Sequence, residues 1–212
     1  MTVLAIDTCL GACSAALADG DALLAEISEA MTRGHQEHLA PMVRDLMGGA
    51  GTPFSALDRI GVTVGPGSFT GLRVGLAFAK GLALALDRPC VGVGTLEALA
   101  ASIEVFACRA AVIDAGRGRV YLQVFEGAEA ITAPDSLPRE TAVAQLVELG
   151  APAELILVGP GAPLLAGMVP GARVVDLAAP TPDSVARLAG RASVAPPRPL
   201  YLRAPDARAK TP

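Results

Sequence analysis

Residues near the start of the chain return in the same order in its second half, each 107 positions later. Ile6-Asp7 reappears as Ile113-Asp114, Gly11 as Gly118, and Asp19-Gly20 as Glu126-Gly127. The alternating Cys13, Ala15 and Leu17 reappear as Val120, Leu122 and Val124. A strand ending in an acidic residue and running into a hairpin therefore occurs twice. This constrains the fold to two similar units, each of which must find cover for its own sheet.

The rest of the pattern fills in both units. Strands are predicted at Val3 to Asp7, Cys13 to Ala18 and Leu23 to Glu29, with a turn at Asp19-Gly20-Asp21. A helix follows from Gln36 to Met47, then a strand from Arg59 to Val64, a glycine-rich turn, a helix from Thr70 to Leu86 and a strand from Cys90 to Val93. Thr95 is expected to cap a third helix. The second unit continues with a helix from Arg139 to Leu149, a strand from Leu155 to Val158 and a helix started by Pro182 that runs to Ala192. The reading is an α/β chain divided into residues 1–103 and 104–212, the latter carrying a C-terminal helix and tail.

Composition excludes several functions for a chain of 212 residues that is 52% hydrophobic. The longest uncharged stretch, Leu155 to Ala172, is broken by Pro160, Pro163, Pro170 and four glycines, so no membrane span is expected there. The first residues read as a strand without a positive flank or cleavage site, which points to the cytoplasm. Cys9, Cys13, Cys90 and Cys108 show no paired spacing for zinc and are expected as free thiols. Net charge is −4, with no basic run before the tail from Arg203 to Lys210, so any RNA contact is expected to be shared with a partner.

The run Gly65-Pro66-Gly67-Ser68-Phe69-Thr70-Gly71-Leu72-Arg73-Val74-Gly75 joins a strand to a helix. Physics allows two readings: backbone donors exposed at a helix N-terminus for an anion, or a tight turn capped by Ser68 or Thr70. It is not a P-loop, because no Gly-Lys-Ser/Thr follows, and Pro66 spoils a nucleophile elbow around Ser68.

Two duplicated α/β halves resemble the actin, sugar-kinase and heat-shock ATPase superfamily, whose halves are ribonuclease H-like. That resemblance implies a nucleotide and magnesium in the cleft between the halves, with Asp7, Asp114 and Gly116 facing it. The glycine-rich run is similar to the signature of the TsaB family. So are Leu4-Ala5-Ile6-Asp7-Thr8, His35 at the first helix, Ala79-Lys80-Gly81-Leu82-Ala83, Gly94-Thr95-Leu96-Glu97-Ala98-Leu99-Ala100 and Pro199-Leu200-Tyr201-Leu202-Arg203. The first hundred residues match densely and the second half in patches.

The TsaB resemblance implies a role in forming N6-threonylcarbamoyladenosine at position 37 of tRNAs that read codons beginning with A. It implies catalysis by a paralogue, TsaD, with this chain as its inactive partner and a small ATPase, TsaE, joining the pair. ATP and magnesium then belong to the complex, and this chain alone holds no cofactor.

The residues agree with an inactive role. His35 and His38 are three apart, Leu39 takes the place of the second histidine of a His-x-x-x-His metal pair, and no third histidine exists, so no metal site is expected. The turn Asp7-Thr8-Cys9-Leu10-Gly11 lacks a glycine two after the aspartate to let the backbone approach phosphate. Asp114-Ala115-Gly116-Arg117-Gly118 is more permissive, but departs from the Asp-Ala-Arg of the family, leaving Arg117 or Arg119 to stand in. Gly159-Pro160-Gly161-Ala162 stands in the place of an adenosine loop with one donor removed by its proline. The alternative is a self-contained ATPase or kinase of the same fold.

The helix from Thr70 to Leu86 is apolar nearly all round, more than one sheet can cover, which points to a helical partner interface. His35, Leu39, Met42 and Leu46 on the first helix, with Gly71, Leu72, Gly75, Leu76 and Ala79 on the second, are assigned to it. Gly71 and Gly75, one turn apart, are read as room for another helix. Without its partner the same surface is expected to close as a homodimer.

Overall fold

The computed structural model describes residues 1–104, 107–149 and 155–203. The first half contains β1 (Thr2–Asp7), β2 (Ala12–Asp19), β3 (Ala22–Ala30), α1 (His35–Gly49), β4 (Arg59–Thr63), α2 (Phe69–Leu86), β5 (Cys90–Val93) and α3 (Thr95–Ala101). The second contains β6 (Arg109–Gly116), β7 (Arg119–Glu126), β8 (Glu129–Ala130), β9 (Asp135–Pro138), α4 (Arg139–Glu148), β10 (Ile156–Val158), β11 (Arg173–Val175) and α5 (Pro182–Arg191). The strand orders are β3-β2-β1-β4-β5 and β8-β7-β6-β10-β11. Position for position these are the same topology, and the added β9 pairs with β7.

Alternation along β1 shows why the sheet is covered on both faces. Leu4 and Ile6 join Leu39, Met42, Val43 and Met47 of α1 and Leu72 and Leu76 of α2 in one core. Val3 and Ala5 point the other way, into a layer with Ala16, Ala18, Val185, Ala186 and Ala189. The second layer is thin because it is built of alanine, and α5 lies close on it. A Cβ at Gly61 would come within 2.3 Å of the Ala189 methyl. Alanine richness thus has a structural use here.

That second layer crosses the halves. α5 follows the C-terminal sheet in sequence but packs on the N-terminal one, while α3 packs Leu96, Leu99 and Ala100 against Ala111, Ile113, Phe125 and Val158 of the C-terminal sheet. Each exchanged helix has its C-terminal carbonyls held by an arginine at the start of a strand in the sheet it covers. Arg59 of β4 donates to the carbonyls of Ala189, Gly190 and Ala192 beyond and within α5. Arg109 of β6 donates to those of Ala100 and Ile103 at the end of α3. A cation there also suits the negative end of the helix dipole. The division at residue 103 falls just after α3, so it separates that helix in sequence from the sheet it covers.

Most predicted elements stand within one or two residues of their expected bounds. Thr95 is a correction: the helix cap is Gly94, and Thr95 is the buried first residue of the helix. β8, β9 and β11 lie outside the predicted strands, and each is only two to four residues long. By length and composition α2 could cross a bilayer, but it lays Leu72, Leu76, Ala79 and Ala83 on the N-terminal core and turns Arg73 and Lys80 outward.

Candidate functional site

The two acidic strand ends begin alike. Asp7 Oδ1 accepts from the Cys9 N–H at 3.0 Å, and Asp114 Oδ1 accepts from the Gly116 N–H at 2.8 Å, the same turn made twice. They then diverge. Asp114 is exposed, whereas Asp7 is 1% exposed.

The signature run closes the first site. Its Ser68 N–H donates to the Cys9 carbonyl at 2.7 Å, and the Thr8 hydroxyl donates to the Gly71 carbonyl at 2.7 Å. A Cβ at Gly67 would stand 2.3 Å from the Cys9 oxygen, one at Gly71 2.0 Å from the Thr8 oxygen, and one at Gly75 2.5 Å from Thr8 Oγ1. These glycines are therefore places where the loop and α2 lie directly on the turn after β1. Of the two readings left open, the capped turn is realised: Ser68 is the N-cap, and its Oγ accepts from the Gly71 N–H at 3.3 Å. Phe69 and Thr70 begin the helix.

The same device recurs after β10. Gly159-Pro160-Gly161 repeats the Gly65-Pro66-Gly67 run, with Gly159 at φ +112° and Gly65 at φ +97°. A Cβ at Gly161 would meet the Ile113 carbonyl carbon at 2.7 Å, and the Gly161 N–H donates to the Val112 carbonyl at 2.9 Å. The Gly-Pro-Gly repeat was visible in the sequence as a second sign of duplication.

Behind the first turn lies a sealed polar cluster. Thr63 donates its hydroxyl to Asp7 Oδ1 at 2.6 Å, while Asp7 Oδ2, Ser14 Oγ and His35 Nε2 are buried without a hydrogen-bond partner among the described residues. Burial pushes the Asp7 carboxyl above its usual range, against the pull of Thr63, the Cys9 N–H and His35. Burial likewise pushes the Cys9 thiol up to about 12, with the Asp7 charge adding to it. Neither is an available nucleophile. The four cysteines are free thiols. His38, by contrast, is exposed, with Nδ1 3.4 Å from a carboxylate oxygen of Glu29. Only one of the two imidazoles is open to solvent.

The nine interface residues need correction. His35, Leu39, Met42, Leu46, Gly71, Leu72, Gly75, Leu76 and Ala79 are all buried in the chain itself. Their spacing at three and four residues marks the core stripe of each helix, and the room left by Gly71 and Gly75 is taken by Thr8. The exposed side of α2 instead carries Thr70, Arg73, Ala77, Lys80, Gly81 and Leu84, of which Leu84 is 85% exposed. Asp7 is corrected in the same way: it faces the interior, and only the Asp114 and Gly116 turn lies open.

The last described residues bridge the halves. The Leu200 N–H donates to the Val64 carbonyl at 2.7 Å, and Arg203 donates to the Ala115 carbonyl at 3.0 Å. Tyr201 meets Phe69 between them, with ring centroids 5.5 Å apart.

A family model described as TsaD, tRNA N6-adenosine threonylcarbamoyltransferase, matches residues 23–158. YeaZ from Pseudomonas aeruginosa superposes with a TM-score of 0.80 at 30% identity, covering 94% of this chain and 99% of that one. The chain belongs to the TsaB/YeaZ family. Within it, the tRNA threonylcarbamoyladenosine biosynthesis protein TsaB of Escherichia coli is 40% identical over 124 residues, 57% of this chain. That match spans 53% of the Escherichia coli protein, about half its length. A ROK hexokinase from Thermus thermophilus shares the two-halved actin-like fold at a TM-score of 0.53 and 15% identity.

Proposed function

We propose that this TsaB-family chain is the non-catalytic partner of a TsaD-type threonylcarbamoyltransferase, acting in formation of threonylcarbamoyladenosine at position 37 of tRNAs that read codons beginning with A. The observation that carries the reading is the sealed turn after β1. In this fold a phosphate is held by backbone N–H groups at such a turn and magnesium by its carboxylate. Here the turn is covered by Gly67, Ser68 and Gly71, and Asp7 is buried with its carboxyl pushed toward the neutral form. These residues do not fit a magnesium nucleotide, which argues against a self-contained ATPase or kinase. ATP and magnesium in such a complex belong to the TsaD-type paralogue and a TsaE-type ATPase.

Exposed Leu84 and Ala77 on α2, with the neighbouring outer face of α1, are the surface proposed for the paralogue. The isolated chain is expected to pair with itself there. The test is the yield of threonylcarbamoyladenosine on tRNA with TsaD, TsaE, threonylcarbamoyl-adenylate supply and ATP, with and without this chain. Product over repeated turnovers only in its presence, retained by Asp7→Asn and reduced by Leu84→Asp, supports the reading. A dispensable chain, or ATP hydrolysis by the chain alone that Asp7→Asn abolishes, overturns it.

A further inference from the structure

The signature loop and the Pro199 to Arg203 run meet at one exposed spot. Phe69 and Tyr201 are each 47% exposed with their rings 5.5 Å apart, and the Arg73 guanidinium lies 3.6 Å over the Phe69 ring. The chain has only five Phe and two Tyr, so two of seven aromatic side chains are spent on this exposed stack. Packing does not explain them, since about half of each remains in water. Arg73 and Lys80 are the only charged residues of α2, which carries no carboxylate in a chain of net charge −4. They stand seven residues apart, roughly 10 Å along the helix.

We propose that Phe69, Tyr201 and Arg73 form a stacking platform for an unpaired base of tRNA, with Arg73 and Lys80 answering the backbone phosphates. The proposal rests on the tRNA reading above and names the contact this chain makes. Exposed aromatics stack on any base face, and arginine adds a planar cation to the same surface, so the combination suits single-stranded RNA. The Pro199 to Arg203 run holds Tyr201 in place from both sides, through Leu200 on Val64 and Arg203 on Ala115. The platform lies at the N-terminal end of α2, roughly 22 Å of helix away from Leu84.

The test uses the complex of this chain with TsaD- and TsaE-type proteins, unmodified tRNA, and tRNA carrying 4-thiouridine for photo-crosslinking. Crosslinks are expected on the peptides containing Phe69 and Tyr201. Phe69→Leu and Tyr201→Leu are each expected to weaken tRNA binding on the order of 5- to 100-fold, while Tyr201→Phe binds as wild type, because any aromatic stacks. Arg73→Gln is expected to make the salt dependence shallower by about 0.7 in log–log slope. Unchanged affinity of both leucine variants overturns the platform. So does loss of co-purification with the TsaD-type partner without crosslinks at these peptides, which makes the spot a protein contact. Product is scored in the same samples: its absence with wild-type chain sinks the functional reading, whereas product with unaltered leucine variants sinks only the stack.

Discussion

Among the described residues, Asp7 accepts two hydrogen bonds on one carboxylate oxygen and none on the other, and the group is buried. Its folded pKa is raised by burial, so the unfolded chain loses this proton first as pH rises. Stability contributed by the protonated form is present below the ordinary carboxylate range and is lost as pH rises through the folded pKa. Asp7→Asn keeps the acceptor oxygen and removes the charge. It is expected to hold or raise Tm at pH 7, by about 2–4 °C for each kcal/mol relieved, and to flatten this part of the pH dependence, read by thermal melts between pH 4 and 8. Gly71→Ala is the opposite case. The new methyl would meet a backbone oxygen, which cannot rotate away, so a loss of about 2–3 kcal/mol is expected in denaturant unfolding. The sequence showed Gly71 and Thr8 but not that they meet, because that contact joins residues 63 apart.

Helix α2 illustrates how far a pattern reads on its own. Apolar residues around its circumference did not say which stripe meets the sheet: Leu72, Leu76, Ala79 and Ala83 are buried, while Ala77, Gly81 and Leu84 stay exposed. Leu76 lies in the core and Leu84 in water. Leu76→Asp is therefore expected to abolish the cooperative unfolding transition, since an unpaired buried charge costs several kcal/mol. Leu84→Asp should shift Tm by no more than about 2 °C and act only on pairing, measured by sedimentation of the mixed chains with circular dichroism alongside. If Leu84→Asp unfolds the chain, the assigned outer face of α2 is wrong.

At the scale of the whole molecule, the exchange of α3 and α5 makes the halves interdependent. Residues 1–103 alone would leave Val3, Ala5, Ala16, Ala18 and Val91 bare where α5 belongs. That fragment is expected to lack a sharp thermal transition, while the full chain unfolds in one step. Arg59→Met removes the guanidinium that serves three carbonyls at the end of α5. Hydrogen bonds to a charged group are worth about 1.5–3 kcal/mol, and a loss of that order is expected without a second transition appearing. A stepwise melt would show that the halves fold separately.

Local rules and the internal repeat determined the elements, their order and their duplication. Strand alternation, helix period and turn residues act over a few positions, and a fixed offset survives wherever the same unit must be built twice. The repeat also pointed to the paired acidic turns. Which half each final helix covers, which helix stripe faces out, and the burial of Asp7 under the signature loop were decided only in the tertiary structure. Those depend on what two surfaces distant in sequence do when pressed together: alanines let α5 approach, glycines let α2 lie on the turn after β1, and the arginines at 59 and 109 hold the helix ends that result.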